Sequence, residues 1–280
     1  MKKPEYLQDD GLATPEVGDW SEEKYSYLQG YADIFTKAMT GKWHLVYLDL
    51  FAGAGRAKIK SNNRVVAASP LLALGLQRPF DRYVFSEQDE EKLNALRQRV
   101  EREHPVRDVR YVHGDVNKKV TEILGEFPPP SQGQGVLTFC FADPYACPNL
   151  HFATIHQLAK RKVDFLVLIP SGYANRNLAN YLDPKSKTLE EFLGDPEWRK
   201  AWQAEGGRYP HFADFVTDRF GQSMKSAGYI YEGLHDSLLV RSTAKNLPLY
   251  DLVLFSRHSL GEKFGREIRK YNRSQLPLFS

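Results

Sequence analysis

The chain has little cysteine, no long apolar run and almost no net charge. Two cysteines, Cys140 and Cys147, serve 280 residues, too few for the disulfide framework of a small secreted scaffold. No apolar run reaches the roughly 18 residues of a membrane-spanning helix, so no membrane is expected. Met1-Lys2-Lys3-Pro4-Glu5 leads into polar sequence without the apolar core of a signal peptide, and the expectation is a cytoplasmic protein. Lys and Arg number 38 against 35 Asp and Glu, a net charge of +3, so any nucleic-acid footprint must be local. Internal repeats and low-complexity tracts are absent too. Residues that are 42% hydrophobic and 12% aromatic exclude intrinsic disorder. The length suits one domain over 1–280 with a sizeable core.

Residues 1–20 read as an extended polar lead-in. Tyr25, Leu28, Ala32, Phe35 and Met39 recur at spacings of three and four, which predicts a leading amphipathic helix over 21–41 that stops at Gly41. His44 to Phe51 is nearly continuous in apolar residues, the pattern of a parallel strand buried on both faces. After the loop Ala52-Gly53-Ala54-Gly55, residues 56–68 read as a small hairpin turning at Ser61-Asn62-Asn63. Ser69-Pro70 opens a helix, with serine as its cap and proline at the first helical position. Further strands, at Tyr83–Glu87, Val109–Gly114, Val136–Ala142 and Val163–Ile169, alternate with helices at about 89–103, after Asp115, and at about 151–161. The proline run at Pro128 is a surface loop. Residues 170–227 are polar, rich in Tyr and Trp and broken by Pro184, Pro196 and Pro210; they predict a helical insertion or cap. Two late strands, near 229–241 and 249–255, have no helix between them, and a basic helix closes the chain. The expected class is α/β: a mostly parallel seven-stranded sheet with an antiparallel C-terminal edge hairpin.

In open α/β sheets, ligands bind beyond the carboxyl ends of the strands. Four predicted strands end there in informative residues. The first ends in Asp49, placed to hold an ammonium group, followed by Phe51, Gly53 and Gly55, whose glycines let the backbone approach a ligand. The second ends in Glu87-Gln88, suited to ribose hydroxyls; the third in Asp115-Val116, suited to an adenine amine; the fourth in Asp143-Pro144-Tyr145. Singly, each acid is as readily a helix cap. A dinucleotide fingerprint fails, because Lys58 stands where the third glycine belongs and Glu87 comes too late. A P-loop is absent. S-adenosylmethionine has no pyrophosphate and needs one acid for its ammonium and another for its ribose, which this order of residues offers.

Leu48-Asp49-Leu50-Phe51-Ala52-Gly53-Ala54-Gly55-Arg56 resembles motif I of S-adenosylmethionine-dependent methyltransferases, and Asp143-Pro144-Tyr145 resembles a shortened D-P-P-Y acceptor motif. More narrowly, the chain resembles the three-Cys-motif partner family (TcmP). That resemblance rests on Lys24 and Tyr31 in the leading helix, motif I, Ser69 to Leu74, Phe141 to Tyr145, Val163 to Leu166, Phe192 to Asp195 with Trp198, and Tyr250 to Gly265. It spans roughly residues 20–270. It implies a methyltransferase-type Rossmann fold, S-adenosylmethionine as cofactor, and a radical S-adenosylmethionine partner protein carrying three cysteines. Asp143, Pro144 and Tyr145 are then the acceptor residues: the acid and a backbone carbonyl take hydrogen bonds from an exocyclic amine, and the ring stacks on a flipped base.

The function expected is methyl transfer to RNA or DNA, with a catalytically silent partner subunit as the alternative. Local basic groups supply the phosphate contacts: Arg56, Lys160, Arg161, Lys162, Arg257, Lys263, Arg266, Arg269 and Lys270. A weaker alternative is a nuclease holding Mg²⁺ with Glu87, Asp115 and Asp143, but no D-x-D or E-x-K spacing supports it and no metal is expected. Cys140 reads as core. Cys147 is a minor candidate nucleophile. The eight histidines are scattered.

Overall fold

The computed structural model describes residues 7–129, 134–242, 246–259, 261 and 263. In chain order the elements are β1 (Glu16–Val17), α1 (Ser21–Met39), β2 (His44–Asp49), β3 (Arg56–Ile59), β4 (Val65–Ala67), α2 (Ser69–Leu74), β5 (Arg82–Glu87), α3 (Glu90–Glu103), β6 (Val109–His113) and α4 (Val116–Gly125). They continue with β7 (Val136–Ala142), α5 (Phe152–Leu158), β8 (Val163–Ile169), α6 (Ser171–Arg176), α7 (Leu178–Leu182), α8 (Thr188–Leu193), α9 (Trp198–Glu205), α10 (Phe212–Ser226), β9 (Ser237–Arg241) and β10 (Pro248–Phe255).

The main sheet has the order β6-β5-β2-β7-β8-β10-β9. Counted along the chain, its seven strands run 3-2-1-4-5-7-6. Neighbours from β6 to β8 pair in parallel, whereas β10 is antiparallel to both β8 and β9. This is the methyltransferase-type Rossmann sheet. β2 lies inside it, with Asp49 in register with Phe85 of β5 and Phe141 of β7. Its apolar run serves two cores at once. Val46, Leu48 and Leu50 join a cluster with α4, α5 and α8–α10, and Leu45 and Tyr47 join one with α1, α2 and α3. Side chains that alternate across a strand divide in this way only when both faces are covered.

Residues 170–227 form part of the first of those layers. Breaks fall around Pro184, Pro196 and Pro210 as expected, since proline cannot continue a helix interior. The aromatics of the segment pack among themselves: Trp198 has no exposed surface, and the Trp202 ring lies 4.9 and 5.1 Å from those of Phe212 and Phe215. Three local expectations need correction. Ser69 is the first residue of α2, not its cap; its hydroxyl bonds the Asp49 carboxylate instead. β9 begins only at Ser237, because Gly233, at φ 130°, and the turn Leu234–Asp236 bend the chain before it. The buried stripe of α1 contains Lys24, Tyr27, Leu28, Tyr31 and Phe35, while Tyr25 and Met39 are half-buried. The helix is thus rolled so that a lysine faces inward.

The lead-in is tied down. β1 pairs in parallel with β3, which pairs with β4 in a small second sheet. Its main fastening is Arg99 of α3, which has no exposed surface. The Arg99 guanidinium donates to Asp10 at 2.6 and 3.0 Å, to the carbonyls of Ala13 and Ala54 at 2.9 and 2.6 Å, and to the Thr14 hydroxyl at 2.9 Å. Asp10 also meets Arg102 at 2.7 Å and Arg56 at 3.3 Å. Arg56 pairs with Glu103 at 2.7 Å and donates to the Gln8 carbonyl at 2.9 Å. Arg56, expected from the sequence to contact nucleic acid, is buried and engaged within the protein.

Hydrogen bonds from Arg99 outweigh burial and hold the Asp10 carboxyl well below its usual range. Its stabilising contribution is complete above the unfolded value near 4 and is lost as pH falls toward the lower folded value. Asp10→Ala, which leaves Arg99 buried without its carboxylate, should lose about 3–5 kcal/mol at neutral pH. Urea denaturation measures this. In the same assay Asp10→Asn should lose stability less steeply than the wild type as pH falls below 4.

Candidate functional site

The carboxyl ends of β2, β5 and β7 form one rim. Asp49 ends β2 without any exposed surface. It accepts hydrogen bonds from the Tyr47 hydroxyl at 3.2 Å, the Phe51 N–H at 3.3 Å and Ser69. Burial pushes its pKa up to about 7, against the pull of those donors, and the charge of nearby Asp143 adds to the rise. A carboxylate so enclosed braces the loop that follows, and the ammonium contact expected of it is indirect in this arrangement.

That loop is held to β5 by Glu87, which accepts from the Gly53 N–H at 2.8 Å and from the Asp89 N–H at 2.9 Å. Gly53 has φ 62°, and a Cβ there would point into open space. Gly55, at φ 80°, has a different reason: a Cβ would lie 2.8 Å from the Leu96 side chain and 3.2 Å from Leu71, so the glycine permits α2 and α3 to close on the loop. Phe51 is half-buried and packs on the first core cluster.

Gln88 is exposed, and its carbonyl meets the His113 ring at 3.0 Å. Asp115 caps α4 by accepting from the Asn117 N–H at 3.0 Å, and Val116 is buried behind it. Beside Glu87 opens a cavity of about 970 Å³ between Gly11–Ala13 and the first turns of α3. Glu87, Asp89, Glu90 and Glu91 make its wall acidic, with Lys92 the basic lining residue, a balance that favours a cationic ligand. Sequence reasoning missed the Gly11–Ala13 wall. The available signal was Arg99, a fully charged side chain in the middle of an amphipathic helix.

Asp143-Pro144-Tyr145 leaves β7 two residues beyond the partner of Asp49. Asp143 is partly exposed and forms an ion pair with Lys24 of α1 at 2.5 Å. Tyr145 is 88% exposed, with no covering element. The chain then turns into the buried Cys147, where Asn149 accepts from the Ala146 N–H at 3.0 Å. Burial pushes the Cys147 thiol up to about 12, despite a contact with Tyr181. An enclosed thiol of that kind is no nucleophile. Cys140 is core, as expected.

Most of the basic residues lie away from this rim. Lys160, Arg161 and Lys162 precede β8 and so sit at the amino ends of the parallel strands. Lys162 covers the Trp43 ring at 4.4 Å. Arg257 follows β10, whose Phe255 pairs with Phe165 near the start of β8. It stacks on Tyr229 at 4.5 Å and donates to the carbonyls of Ala159 and Ala227. Lys263 is exposed, and Arg266, Arg269 and Lys270 lie outside the described residues. The carboxylates of Glu87, Asp115 and Asp143 do not converge on one point. Among the described residues, the one triad of ligand-type side chains within 4.8 Å is Glu232, His235 and Asp236, in the turn before β9. No helix among the described residues is long and apolar enough to cross a membrane.

No family model matches the chain, and no curated protein matches it in sequence. Among solved structures it is similar to protein LPL1258 from Legionella pneumophila, at 13% identity over 88% of this chain and 90% of that one, with a TM-score of 0.49. It is similar to the O-methyltransferase from Bacillus cereus in complex with SAH, at 14% identity, 88% and 84% coverage and a TM-score of 0.48. Magnesium protoporphyrin IX methyltransferase (ChlM) from Synechocystis PCC 6803 with bound SAH follows at 9% identity, 85% coverage of each chain and a TM-score of 0.43.

Asp49 binds a proton more tightly in the folded chain than in the unfolded one, so it makes stability fall as pH rises from about 4 to about 7. Asn at this position cannot titrate. Chemical denaturation across that range should show a shallower fall for Asp49→Asn than for the wild type; parallel curves would place the charge elsewhere.

Proposed function

We propose that this protein transfers a methyl group from S-adenosylmethionine to an amino group of a nucleic-acid base. The observation that carries the reading is the loop after β7. It offers a carboxylate, a proline carbonyl and an exposed aromatic ring at the carboxyl end of the strand next to β2, which carries the glycine loop. The residues present fit the cofactor. A Cβ at Gly53 would point into open space, and the cavity beside Glu87 is of the size that takes small ligands. In this reading Glu87 and Gln88 take the ribose hydroxyls, and Asp115 with Val116 takes the adenine. Asp49 supports the loop from below.

Asp143 accepts a hydrogen bond from the acceptor amine, Pro144 offers a carbonyl for the second N–H, and Tyr145 stacks on the base. Bound there, S-adenosylmethionine would supply the methyl as a sulfonium and leave as a neutral thioether, and the proton lost by the nitrogen would pass to water at the open rim. The chain contributes chiefly by holding the nitrogen in line. Phosphates of the same strand would reach Lys160 to Lys162 only by passing round the molecule. The resemblance to the TcmP family adds a pairing with a radical S-adenosylmethionine protein, in which this chain would bind cofactor without turning over.

A calorimetric titration with S-adenosylmethionine, with NAD and ATP as controls, followed by labelled methyl uptake into RNA and DNA, tests the reading. Selective binding and uptake are expected. Glu87→Ala should weaken cofactor binding by about 1–3 kcal/mol, the worth of hydrogen bonds to a charged group. Asp143→Asn should abolish uptake and leave cofactor binding intact. Binding without uptake would favour the silent partner subunit.

A further inference from the structure

Lys24 occupies a place that a lysine seldom takes. It lies on the buried stripe of α1, one turn before Leu28 and two before Tyr31, and a charge is rarely buried there unless paired. Its partner is Asp143, 119 residues later in the chain, with Nζ 2.5 Å from Oδ2. Nζ also stands 4.9 Å from the centre of the Tyr25 ring. Burial alone disfavours the lysine charge, but Asp143, with Tyr25 and Tyr250, more than offsets it and raises its pKa above the ordinary lysine value. Lys24 is thus a fixed cation and not a base. Tyr25, Tyr250, Glu23 and Asp49 are the other titratable groups around the pair.

The ion pair engages only one oxygen of Asp143. Among the described residues no protein donor reaches Oδ1, and the side chain is 22% exposed on the rim. The loop that carries it has a single proline before its tyrosine and so has less intrinsic stiffness than a two-proline loop. We propose that Lys24 is the positioning residue of the acceptor site, holding Asp143 by Oδ2 so that Oδ1 meets the N–H of the acceptor. This rests on the methyl-transfer reading above and adds a statement about the acceptor. A carboxylate whose Oδ2 is already taken by Lys24 presents Oδ1 as a hydrogen-bond acceptor. The acceptor must therefore bring a hydrogen, as a neutral amine does. A carboxylate or phosphate acceptor would meet Asp143 as a like charge, with Lys24 already engaged.

The test uses the full chain with Lys24→Gln and Lys24→Arg, thermal unfolding to confirm that both fold, calorimetric affinity for S-adenosylmethionine, and kcat and KM for labelled methyl transfer into the RNA or DNA that the wild type modifies. Lys24→Gln should lose about 100-fold in kcat, the scale of a misplaced reacting group, with cofactor affinity unchanged. Lys24→Arg, which keeps the charge, should recover much of that loss. A Lys24→Gln enzyme with the wild-type kcat overturns the proposal while leaving the methyl-transfer reading in place. Rate and cofactor affinity falling together in both variants also overturns it, by reducing Lys24 to a support of the fold. If the wild type modifies neither nucleic acid, the functional reading fails and this role fails with it.

Discussion

A single buried guanidinium holds together the part of the molecule on which the site is built. Arg99 has no contact with water, and a charge there is tolerable only if its donors are satisfied. Its partners come from two places that the chain separates widely: the lead-in, through Asp10, Ala13 and Thr14, and the glycine loop, through the Ala54 carbonyl. The same side chain therefore fixes the loop that a ligand must approach and the segment that walls the cavity beside Glu87. Asp10 extends the fastening by bridging Arg99, Arg102 and Arg56. Val17 and Trp20 pack on the hydrophobic clusters farther along the lead-in, whereas residues 10–14 are fixed by these polar bonds.

Two acids within the same rim have different surroundings. Asp49 is enclosed, bonded only by hydroxyl and amide donors, and titrates near neutrality. Asp143 sits higher, partly in solvent, with a lysine against it. One acid is enclosed by the loop that it braces and the other faces solvent on the rim. The register of β2 and β7 makes the separation possible. It sets Asp49 opposite Phe141, so the acid of β7 falls two residues further out.

The strands were legible in the sequence because burial on both faces leaves a continuous apolar run that no loop imitates, and the helix breaks because proline forbids continuation. The rim acids were legible because they follow those strands. What was not legible depends on direction and on distant partners. A count of lysines and arginines places Lys160 to Lys162 next to the sheet. Only the polarity of β8 shows that they sit at the far end from Asp143. Arg56 reads as a free cation beside motif I until Asp10 and Glu103 are seen against it. Ser69 carries the signature of a cap, yet the nearby Asp49 carboxylate takes its hydroxyl. The helical period of α1 gives a face to within about one residue, and that one residue decides whether Lys24 or Tyr25 points inward.

The roll of α1 has a physical cause, and it links the fold to the chemistry. Apolar contacts from Tyr27, Leu28 and Phe35 press the helix onto the sheet but permit it to slide and turn. Polar anchors do not. Lys24 bonds Asp143 beyond the carboxyl end of β7, and the Tyr31 hydroxyl donates to Asp164 at 3.2 Å near the start of β8. Seven residues separate the two anchors, about 10 Å along a helix, so α1 crosses from one rim toward the other between adjacent strands. One anchor would leave rotation free, whereas two directional bonds at different heights fix both rotation and translation. Burial pushes the Asp164 carboxyl up to about 6, despite donors that include Ser256 and Tyr31, so the lower anchor holds best when that acid is able to accept. The precision with which Lys24 meets Asp143 is thus set partly at the opposite end of the sheet, by a tyrosine that touches nothing in the site.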